Sequence, residues 1–319
     1  MADTFIAQAG QYAALSSQTL DRILALNGAT GYGRRCGLDG ASPRRAFDKL
    51  LVTSYVDYAP FIERLAAGEQ NLLSSQPVAY FASTSGTTGP AKMVPVTRQQ
   101  MQLNIRSLML PFGLAVRQGI LKPMSTRSMV ILTEHTGGPT AGGIPQGAAI
   151  TGSFRYLGGI TDLFLTAPGD VMRVHDQPTA RYLQLLFALG EAGLWTILAF
   201  FPTMLLFTLR DLQKNSASLL RDLADGTLAP ELELSAEMRA RLLKRLGPQP
   251  DRARALTALL GQDRFTVPNI WPELGAILTA NGGSFRFYIE QLRPHIGDLP
   301  VFSPVYGASE ALIGFGISV

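Results

Sequence analysis

One polar loop holds the residues whose types and spacing best suit chemistry. Residues 83–92 are Ser-Thr-Ser-Gly-Thr-Thr-Gly-Pro-Ala-Lys. Glycines let the backbone turn tightly beside a ligand, successive N–H groups and hydroxyls can surround phosphate oxygens, and Lys92 supplies a compensating positive charge. The loop is not a Walker A motif, because no Gly-Lys-Ser/Thr ends the required spacer. It therefore predicts a polyphosphate cradle, with a flexible polar loop as the alternative.

A second candidate motif, Tyr306-Gly307-Ala308-Ser309-Glu310, ends an apolar run near the end of the sequence. A tyrosine ring can pack on a nucleoside, a serine hydroxyl can donate to a phosphate, and a glutamate can hold Mg²⁺. Open α/β sheets bind their ligands at the carboxyl ends of strands, where this motif is expected to lie. Alone, such a pentapeptide is more typical of a polar strand end than of a site.

The elements expected around these motifs alternate between strands and helices. A strand at residues 78–82 leads into the first loop, and Thr97 to Gln100 fits a capping box that predicts a helix as far as Leu110, before Pro111. This alternation predicts an α/β domain with mixed or parallel sheets and flanking helices. The other predicted helices are 4–26, one starting near Pro60, 178–189 and 285–292, with a loop at 31–45; the other predicted strands are 128–133, 276–279, 301–306 and 312–319.

An uncharged run, Ala192 to Leu209, is long enough to span a membrane. Its first part is rich in strand formers, and Pro202 would stand in the first turn of a new helix, where proline is tolerated. No aromatic or basic anchors flank both ends. A buried strand at 194–200 followed by a buried helix at 202–214 therefore explains the run better than a spanning helix.

Composition excludes several classes of protein. The 319 residues are 46% hydrophobic and 16% charged, which favours a folded globular protein. Cys36 is the only cysteine, so no intrachain disulfide, four-cysteine zinc site or CxxC pair can form. The single cysteine and the lack of a signal-peptide pattern at the N-terminus together favour a cytoplasmic location. The net charge is +4, and the basic segment around Arg239 to Arg254 has the spacing of a solvated helix face rather than of a nucleic-acid surface.

Together, the two motifs resemble the Ser/Thr/Gly-rich loop and the Tyr-Gly-x-Ser/Thr-Glu motif of adenylate-forming enzymes. The residues around them resemble one branch, the Gretchen Hagen family of auxin-responsive acyl acid amido synthetases and their bacterial relatives. The likeness covers about Asn27 to Val319. The blocks that carry it are Asn27-Gly28-Ala29-Thr30, Gly33-Arg34, Tyr55-Val56-Asp57-Tyr58-Ala59-Pro60, Trp271-Pro272-Glu273-Leu274, Gly283-Ser284-Phe285, Tyr288 and Gly297-Asp298-Leu299-Pro300.

The resemblance implies a two-step reaction and a role for each motif residue. A carboxylic acid would attack the α-phosphorus of ATP to give an acyl-adenylate and pyrophosphate, and an amino acid or other amine would then take the acyl group. A carboxylate is already ionised at neutral pH, so the first step needs charge neutralisation and positioning more than a general base. The implied phosphate ligands are Ser85, Gly86, Thr87, Thr88, Gly89 and Lys92; Tyr306 and the Gly282-Gly283 turn would flank adenosine, Ser309 would contact the α-phosphate, and Glu310 would bind Mg²⁺. The expected catalytic residues are Lys92, Ser309 and Glu310.

Two departures from the family pattern matter. Ala311 follows Glu310 where the family usually has glycine, and the sequence ends at Val319, whereas family members continue with an Asp-containing ribose motif and a mobile C-terminal domain. The resemblance therefore implies that residues 1–319 are an incomplete N-terminal acyl-adenylating domain without the C-terminal lid domain.

The resemblance also leaves alternatives open. An acyl-CoA ligase of the same superfamily and a non-catalytic nucleotide-binding fragment are the two other interpretations. The expected substrates are a small carboxylic acid and an amine. A separate C-terminal polypeptide is the candidate protein partner, and neither nucleic acid nor membrane is expected to bind.

Overall fold

The structure is a computed structural model that describes residues 2–84, 92–124, 126–133, 138–262, 264–303 and 305–314. The chain divides into two compact units. The first unit consists of Met1–Leu110, His135–Tyr156 and Gly307–Ala311. The second unit consists of Pro111–Glu134, Leu157–Tyr306 and Leu312–Val319.

Helices and short strands alternate along the chain, as an α/β fold requires. The helices are α1 Ala2–Ala9, α2 Tyr12–Asn27, α3 Gly31–Arg35, α4 Pro43–Phe47, α5 Tyr55–Ala66, α6 Arg98–Arg117, α7 Ala149–Leu157, α8 Gln177–Gly190, α9 Pro202–Lys214, α10 Ser216–Asp225, α11 Ala236–Leu246, α12 Pro250–Gly261, α13 Val267–Ile270 and α14 Arg286–Ile296. The strands are β1 Val78–Ser83, β2 Met93–Thr97, β3 Met129–Ile131, β4 Gln146–Gly147, β5 Thr196–Ala199, β6 Ala276–Leu278, β7 Val301–Phe302, β8 Tyr306–Gly307 and β9 Leu312–Gly314.

The first unit is built around a three-stranded mixed sheet with β1 in the centre. β1 is antiparallel to β2 and parallel to β4. Phe81 of β1 packs in a cluster with Phe61 of α5, and the neighbouring Tyr80 packs in a second cluster with Val96 of β2. Because successive strand residues point to opposite faces, β1 is buried on both sides. The strand ends at Ser83, where the apolar run gives way to the polar loop.

The second unit contains a parallel sheet with strand order β3-β5-β6-β7. Every residue of these four strands is buried, which is expected for parallel strands covered by helices on both faces. The α8 residues Leu183 and Leu186 pack in one core cluster with Ile197 of β5 and Ile277 of β6. Since the strands are parallel, their carboxyl ends lie along one edge of the sheet.

A buried hydrogen-bond network fixes the helical part of the second unit. The Asp222 carboxylate accepts hydrogen bonds from the Tyr182 hydroxyl at 2.7 Å, the Thr227 hydroxyl at 2.8 Å and the Ala229 N–H at 2.8 Å. Burial, and next the hydrogen bond to Asp222, raise the pKa of the Tyr182 phenol. These bonds join α8, α10 and the loop that follows α10.

The mixed and parallel sheets with flanking helices confirm the predicted fold class. The uncharged run forms β5 and α9, as predicted. Among the helices that the structure describes, none combines the length and the apolarity needed to cross a bilayer. The predicted cap at Thr97 is present, because the Gln100 N–H donates to the Thr97 hydroxyl at 3.2 Å.

Several predicted boundaries were wrong. The N-terminal helix is interrupted between α1 and α2, at Gly10 and Gln11, and the loop at 31–45 contains the short helices α3 and α4. The α5 helix begins at Tyr55 rather than near Pro60, because the Asp57 carboxylate accepts a hydrogen bond of 2.7 Å from the Ser54 N–H at the helix start.

The α6 helix does not end before Pro111 but continues to Arg117. An internal proline costs a helix roughly 3 kcal/mol. Leu108, Leu110, Leu114 and Ala115, on both sides of the proline, are all buried. Burying such side chains contributes about 1.5–3 kcal/mol for each leucine, which offsets the proline.

The C-terminal strand predictions need correction too. Residues 301–306 do not form one strand: β7 ends at Phe302 beside β6, and Tyr306 begins the separate, exposed strand β8. The predicted last strand begins at Leu312 as expected, and its residues 315–319 lie outside the described part. The helix predicted at 285–292 runs as α14 to Ile296, whose side chain is fully buried.

The basic segment is only partly a solvated face. Arg239 donates to four backbone carbonyls, those of Leu228, Ala229, Pro230 and Leu232, at 2.9–3.3 Å. Arg252 donates to the carbonyls of Leu189 and Ile270 at 2.9 and 2.8 Å, and burial lowers its pKa. These two arginines satisfy loop and helix-end carbonyls, whereas Arg241, Lys244, Arg245 and Arg254 are exposed.

Candidate functional site

The ends of the Ser/Thr/Gly loop are held together by the β1–β2 pairing. The Thr84 N–H donates to the Lys92 carbonyl at 3.0 Å, and the Lys92 N–H donates to the Thr84 hydroxyl at 3.0 Å. The loop therefore leaves and re-enters the sheet at one point. The predicted phosphate ligands Ser85, Gly86, Thr87, Thr88 and Gly89 lie outside the described residues.

Tyr55 of α5 anchors the chain where it leaves the loop. Its hydroxyl accepts a hydrogen bond from the Met93 N–H at 3.0 Å and donates to the Met93 carbonyl at 3.3 Å. The Lys92 Nζ lies 5.3 Å from the centre of the Tyr55 ring, within cation–π range. Lys92 is exposed and has no carboxylate partner among the described residues, so its charge is available to an anion.

The Gly282-Gly283 turn lies in the second unit, just beyond the carboxyl end of β6. Gly283 has φ +57°, a conformation that glycine adopts without strain. Asn281 fixes the turn by donating from its amide to the Val301 carbonyl at 3.2 Å. A Cβ at either glycine would meet no neighbouring atom within 4 Å, so the turn leaves open space beside its backbone.

Two further residues at this sheet edge were not predicted from the sequence. Phe201, after β5, is half exposed, and its ring centre lies 5.6 Å from that of Phe285 in the turn. Thr279, after β6, is buried and its hydroxyl has no hydrogen-bond partner among the described residues. An exposed ring at the carboxyl edge of a parallel sheet is suited to packing on a planar ligand.

The Tyr306–Glu310 motif forms an exposed turn. The Ala308 N–H donates to the Ala311 carbonyl at 2.9 Å, which closes the turn that carries Ser309 and Glu310. Tyr306 is 69% exposed, so its ring is free to pack on a ligand. Glu310 is exposed in the first unit, lines a groove there, and forms no ion pair with any residue the structure describes.

The candidate site residues that the structure describes are divided between the two units. Lys92, Ser309 and Glu310 belong to the first unit, and Gly282, Gly283 and Tyr306 belong to the second. No hydrogen bond or ion pair joins Lys92 to Glu310 in the part of the chain that is described. A free lysine and a free carboxylate are the donor set that a nucleoside triphosphate and Mg²⁺ require, so the residues present fit these groups.

A family model described as the N-terminal domain of the GH3 family matches residues 2–301. The matched range ends before the Tyr306–Glu310 motif. Among curated proteins, the indole-3-acetic acid-amido synthetase GH3.8 of Oryza sativa subsp. indica is 28% identical over 322 residues, covering 95% of this chain and 52% of its own length. The jasmonoyl–L-amino acid synthetase JAR4 of Nicotiana attenuata is 25% identical over 316 residues, covering 95% of this chain and 54% of its own.

Among solved structures, the acyl acid amido synthetase AtGH3.15 in complex with 2,4-DB superposes with a TM-score of 0.81 at 24% identity. That match covers 93% of this chain and 53% of the other, and it shows the shared fold. The chain therefore spans about half the length of the curated relatives it matches.

Proposed function

Because the chain belongs to the GH3 family, whose N-terminal domain it matches, we propose that it carries the acyl-adenylate-forming part of an ATP-dependent acid–amine ligase. In this proposal a carboxylic acid attacks the α-phosphorus of ATP, and an amino acid or other amine then takes the acyl group. The relatives' names support the second step, since they are amido synthetases of indole-3-acetic acid and of jasmonoyl–amino acids.

The observation that carries the proposal is the loop whose ends are joined by Thr84 and Lys92, with the Lys92 ammonium unpaired by any carboxylate of the described residues. We assign the β- and γ-phosphates to Ser85, Gly86, Thr87, Thr88, Gly89 and Lys92. An attack on phosphorus by an anion needs cations at the phosphate oxygens, because both reactants are negatively charged. Lys92 supplies one charge, and Mg²⁺ bound by Glu310 would supply the other.

We assign adenosine to the Gly282-Gly283 turn and the Tyr306 ring, and the α-phosphate to Ser309. The exposed Tyr306 ring and the open space beside the glycines support this assignment. Phe201 offers a second apolar face at the same edge of the second unit's sheet.

The domain assignment, residues 1–319 as an incomplete N-terminal acyl-adenylating domain, is part of the proposal. The coverage of only 52% of a full-length relative supports it. A separate C-terminal polypeptide as a partner, and a cytoplasmic location, stay predictions of the sequence.

Acid-dependent pyrophosphate release tests the function. The chain is incubated with MgATP and a panel of carboxylic acids that includes indole-3-acetic acid, and pyrophosphate is measured with and without each acid. We expect release with at least one acid, lost in Lys92→Ala and Glu310→Ala and retained in Lys214→Ala, an exposed lysine at the end of α9. Equal rates in the Lys92, Glu310 and Lys214 variants, or release that ignores the acid, would refute the proposal.

A further inference from the structure

An aliphatic loop tip, Leu51 and Val52, lies between α4 and α5 in the first unit, and the roles assigned above do not use it. Leu51 is 87% exposed and Val52 is fully exposed, so neighbouring side chains leave both almost uncovered. Val56, in the first turn of α5, is 76% exposed. Single exposed aliphatic residues are common on protein surfaces, but three so close together in the chain form a concentrated apolar feature.

Hydrogen bonds hold the chain on both sides of the loop tip. Before the tip, the Leu50 N–H donates to the Phe47 carbonyl at 3.0 Å. After the tip, the hydroxyls of Thr53 and Tyr58 share a hydrogen bond of 2.5 Å. The loop is therefore fixed at both ends, and its fixed conformation presents the two aliphatic side chains to the outside.

Unpaired positive charge accompanies the loop tip. Arg45 and Lys49 are exposed and have no carboxylate partner among the described residues. The nearby acidic side chains are already engaged, because Asp48 pairs with Arg44 at 3.6 Å and the Asp57 carboxylate accepts hydrogen bonds at the start of α5. The positive charges of Arg45 and Lys49 are therefore available to a negatively charged partner.

An apolar tip accompanied by free cations suits the surface of an anionic bilayer better than it suits a protein. A protein can bury a projecting tip only in a pocket of matching shape, whereas the interface of a bilayer accepts any projecting apolar group. Lysine and arginine side chains near such a surface are attracted to anionic headgroups. Apolar insertion and headgroup attraction together are the two signals that attachment to a membrane surface requires.

We propose that the first unit binds the surface of an anionic lipid bilayer. The side chains of Leu51 and Val52 insert among the lipids, and Arg45 and Lys49 contact the headgroups. This is attachment to one leaflet and needs no spanning helix. It departs from the sequence prediction that no membrane binds, because the exposure of the loop tip is visible only in the structure. It uses none of the residues assigned to the nucleotide, so its failure would leave the proposed function untouched.

Flotation of the 319-residue chain with large lipid vesicles tests the membrane surface. One set of vesicles contains equal parts of phosphatidylcholine and phosphatidylserine, and the other contains phosphatidylcholine alone. We expect half of the chain to float with the anionic vesicles at about 1 mM lipid or less, and little to float with the neutral ones. Raising NaCl from about 0.1 M to about 0.5 M should weaken binding about threefold or more, because salt screens exposed charges.

Single substitutions separate the apolar contribution from the electrostatic one. Leu51→Ser and Val52→Ser should each weaken vesicle binding about tenfold, because each removes an inserted aliphatic side chain. Arg45→Gln and Lys49→Gln should each weaken it about threefold or more, because each removes one cation from the headgroups. All four side chains are exposed, so the urea unfolding midpoints should match that of the parent.

Leu163→Ser and Lys214→Gln are the matched controls. Leu163 is 77% exposed, Lys214 is the exposed last residue of α9, and both belong to the second unit. Both variants should float like the parent, because neither changes the loop tip or its cations.

The proposal is overturned if the folded chain does not float with the anionic vesicles, if it floats equally with the neutral ones, or if Val52→Ser floats like the parent. Sedimentation velocity on the same proteins detects a protein occupant instead. A parent that self-associates without floating, together with a Val52→Ser variant that stays monomeric, would make the loop tip a contact between copies of the chain and refute the membrane surface.

Discussion

Removing the hydroxyl of Tyr55 should loosen the end of the Ser/Thr/Gly loop while the surrounding fold stays intact. The substitution Tyr55→Phe deletes both hydrogen bonds to Met93 and keeps the ring that lies 5.3 Å from the Lys92 Nζ. A hydrogen bond of this kind contributes about 1 kcal/mol net, so the two together contribute roughly 1–2 kcal/mol. If that loss falls on the loop end, MgATP binds about 5-fold to 30-fold more weakly.

The assay is MgATP calorimetry paired with urea unfolding on three variants. Tyr58→Phe is the matched control, since Tyr58 lies on the same helix and its hydroxyl bonds to the hydroxyls of Thr53 at 2.5 Å and Tyr32 at 3.5 Å rather than to β2. Tyr55→Leu also removes the ring, which costs a further 0.5–1 kcal/mol or so at an exposed cation–π contact. The expected order of MgATP affinity is parent, Tyr55→Phe, Tyr55→Leu. Equal affinity of Tyr55→Phe and Tyr58→Phe would refute the reasoning.

Three other perturbations test the fold and its pH dependence. Asp222→Asn should lower the free energy of unfolding by about 2 kcal/mol in urea, because a buried acceptor of three hydrogen bonds is replaced by a group that can no longer satisfy all three donors; an unchanged midpoint would contradict this. Gly33→Ala should lower the free energy of unfolding by about 2 kcal/mol, because a Cβ there would lie 2.2 Å from the Gly28 carbonyl oxygen. Gly40→Ala is the control, because its Cβ would meet its nearest atom at 3.5 Å and should leave the free energy of unfolding unchanged. The Ser54 N–H and hydroxyl hold the pKa of Asp57 below its usual range. The ionised Asp57 carboxylate therefore contributes to the free energy of unfolding above the unfolded-state pKa near 3.9, and this contribution is lost as the pH falls through the lower folded-state pKa. Asp57→Asn should flatten the fall in melting temperature below about pH 4, and an unchanged pH profile would count against the cap.

The fold class could be predicted because local signals agree with tertiary structure at the main elements. Ser235 caps α11 by accepting from the Met238 N–H at 3.2 Å, and Pro202 begins α9, both as sequence rules expect. The helix and strand predictions that were wrong or missed depend on tertiary packing. The α6 helix crosses Pro111 because its buried leucines outweigh the proline, and β2 was missed because a five-residue strand containing Pro95 carries little local signal.

The candidate site residues that the sequence proposes all lie in motifs contained within one segment. The loop ending at Lys92 and the turn at Gly282 and Gly283 could be recognised from neighbouring residues. Tyr55 contacts Met93 across 38 positions, and Arg22 and Glu310 line one groove from opposite ends of the chain. Such pairs leave no periodic or compositional trace in a single sequence, so only the structure brings them together.

Calorimetric titration of MgATP into the chain and into its Lys92→Ala variant is the decisive test of the proposed nucleotide site. We expect saturable binding by the parent, weakened by about tenfold or more in the variant, because no described carboxylate pairs with Lys92 at the end of the loop. Binding of equal strength by both proteins, or no binding by a cooperatively folded chain, would contradict it.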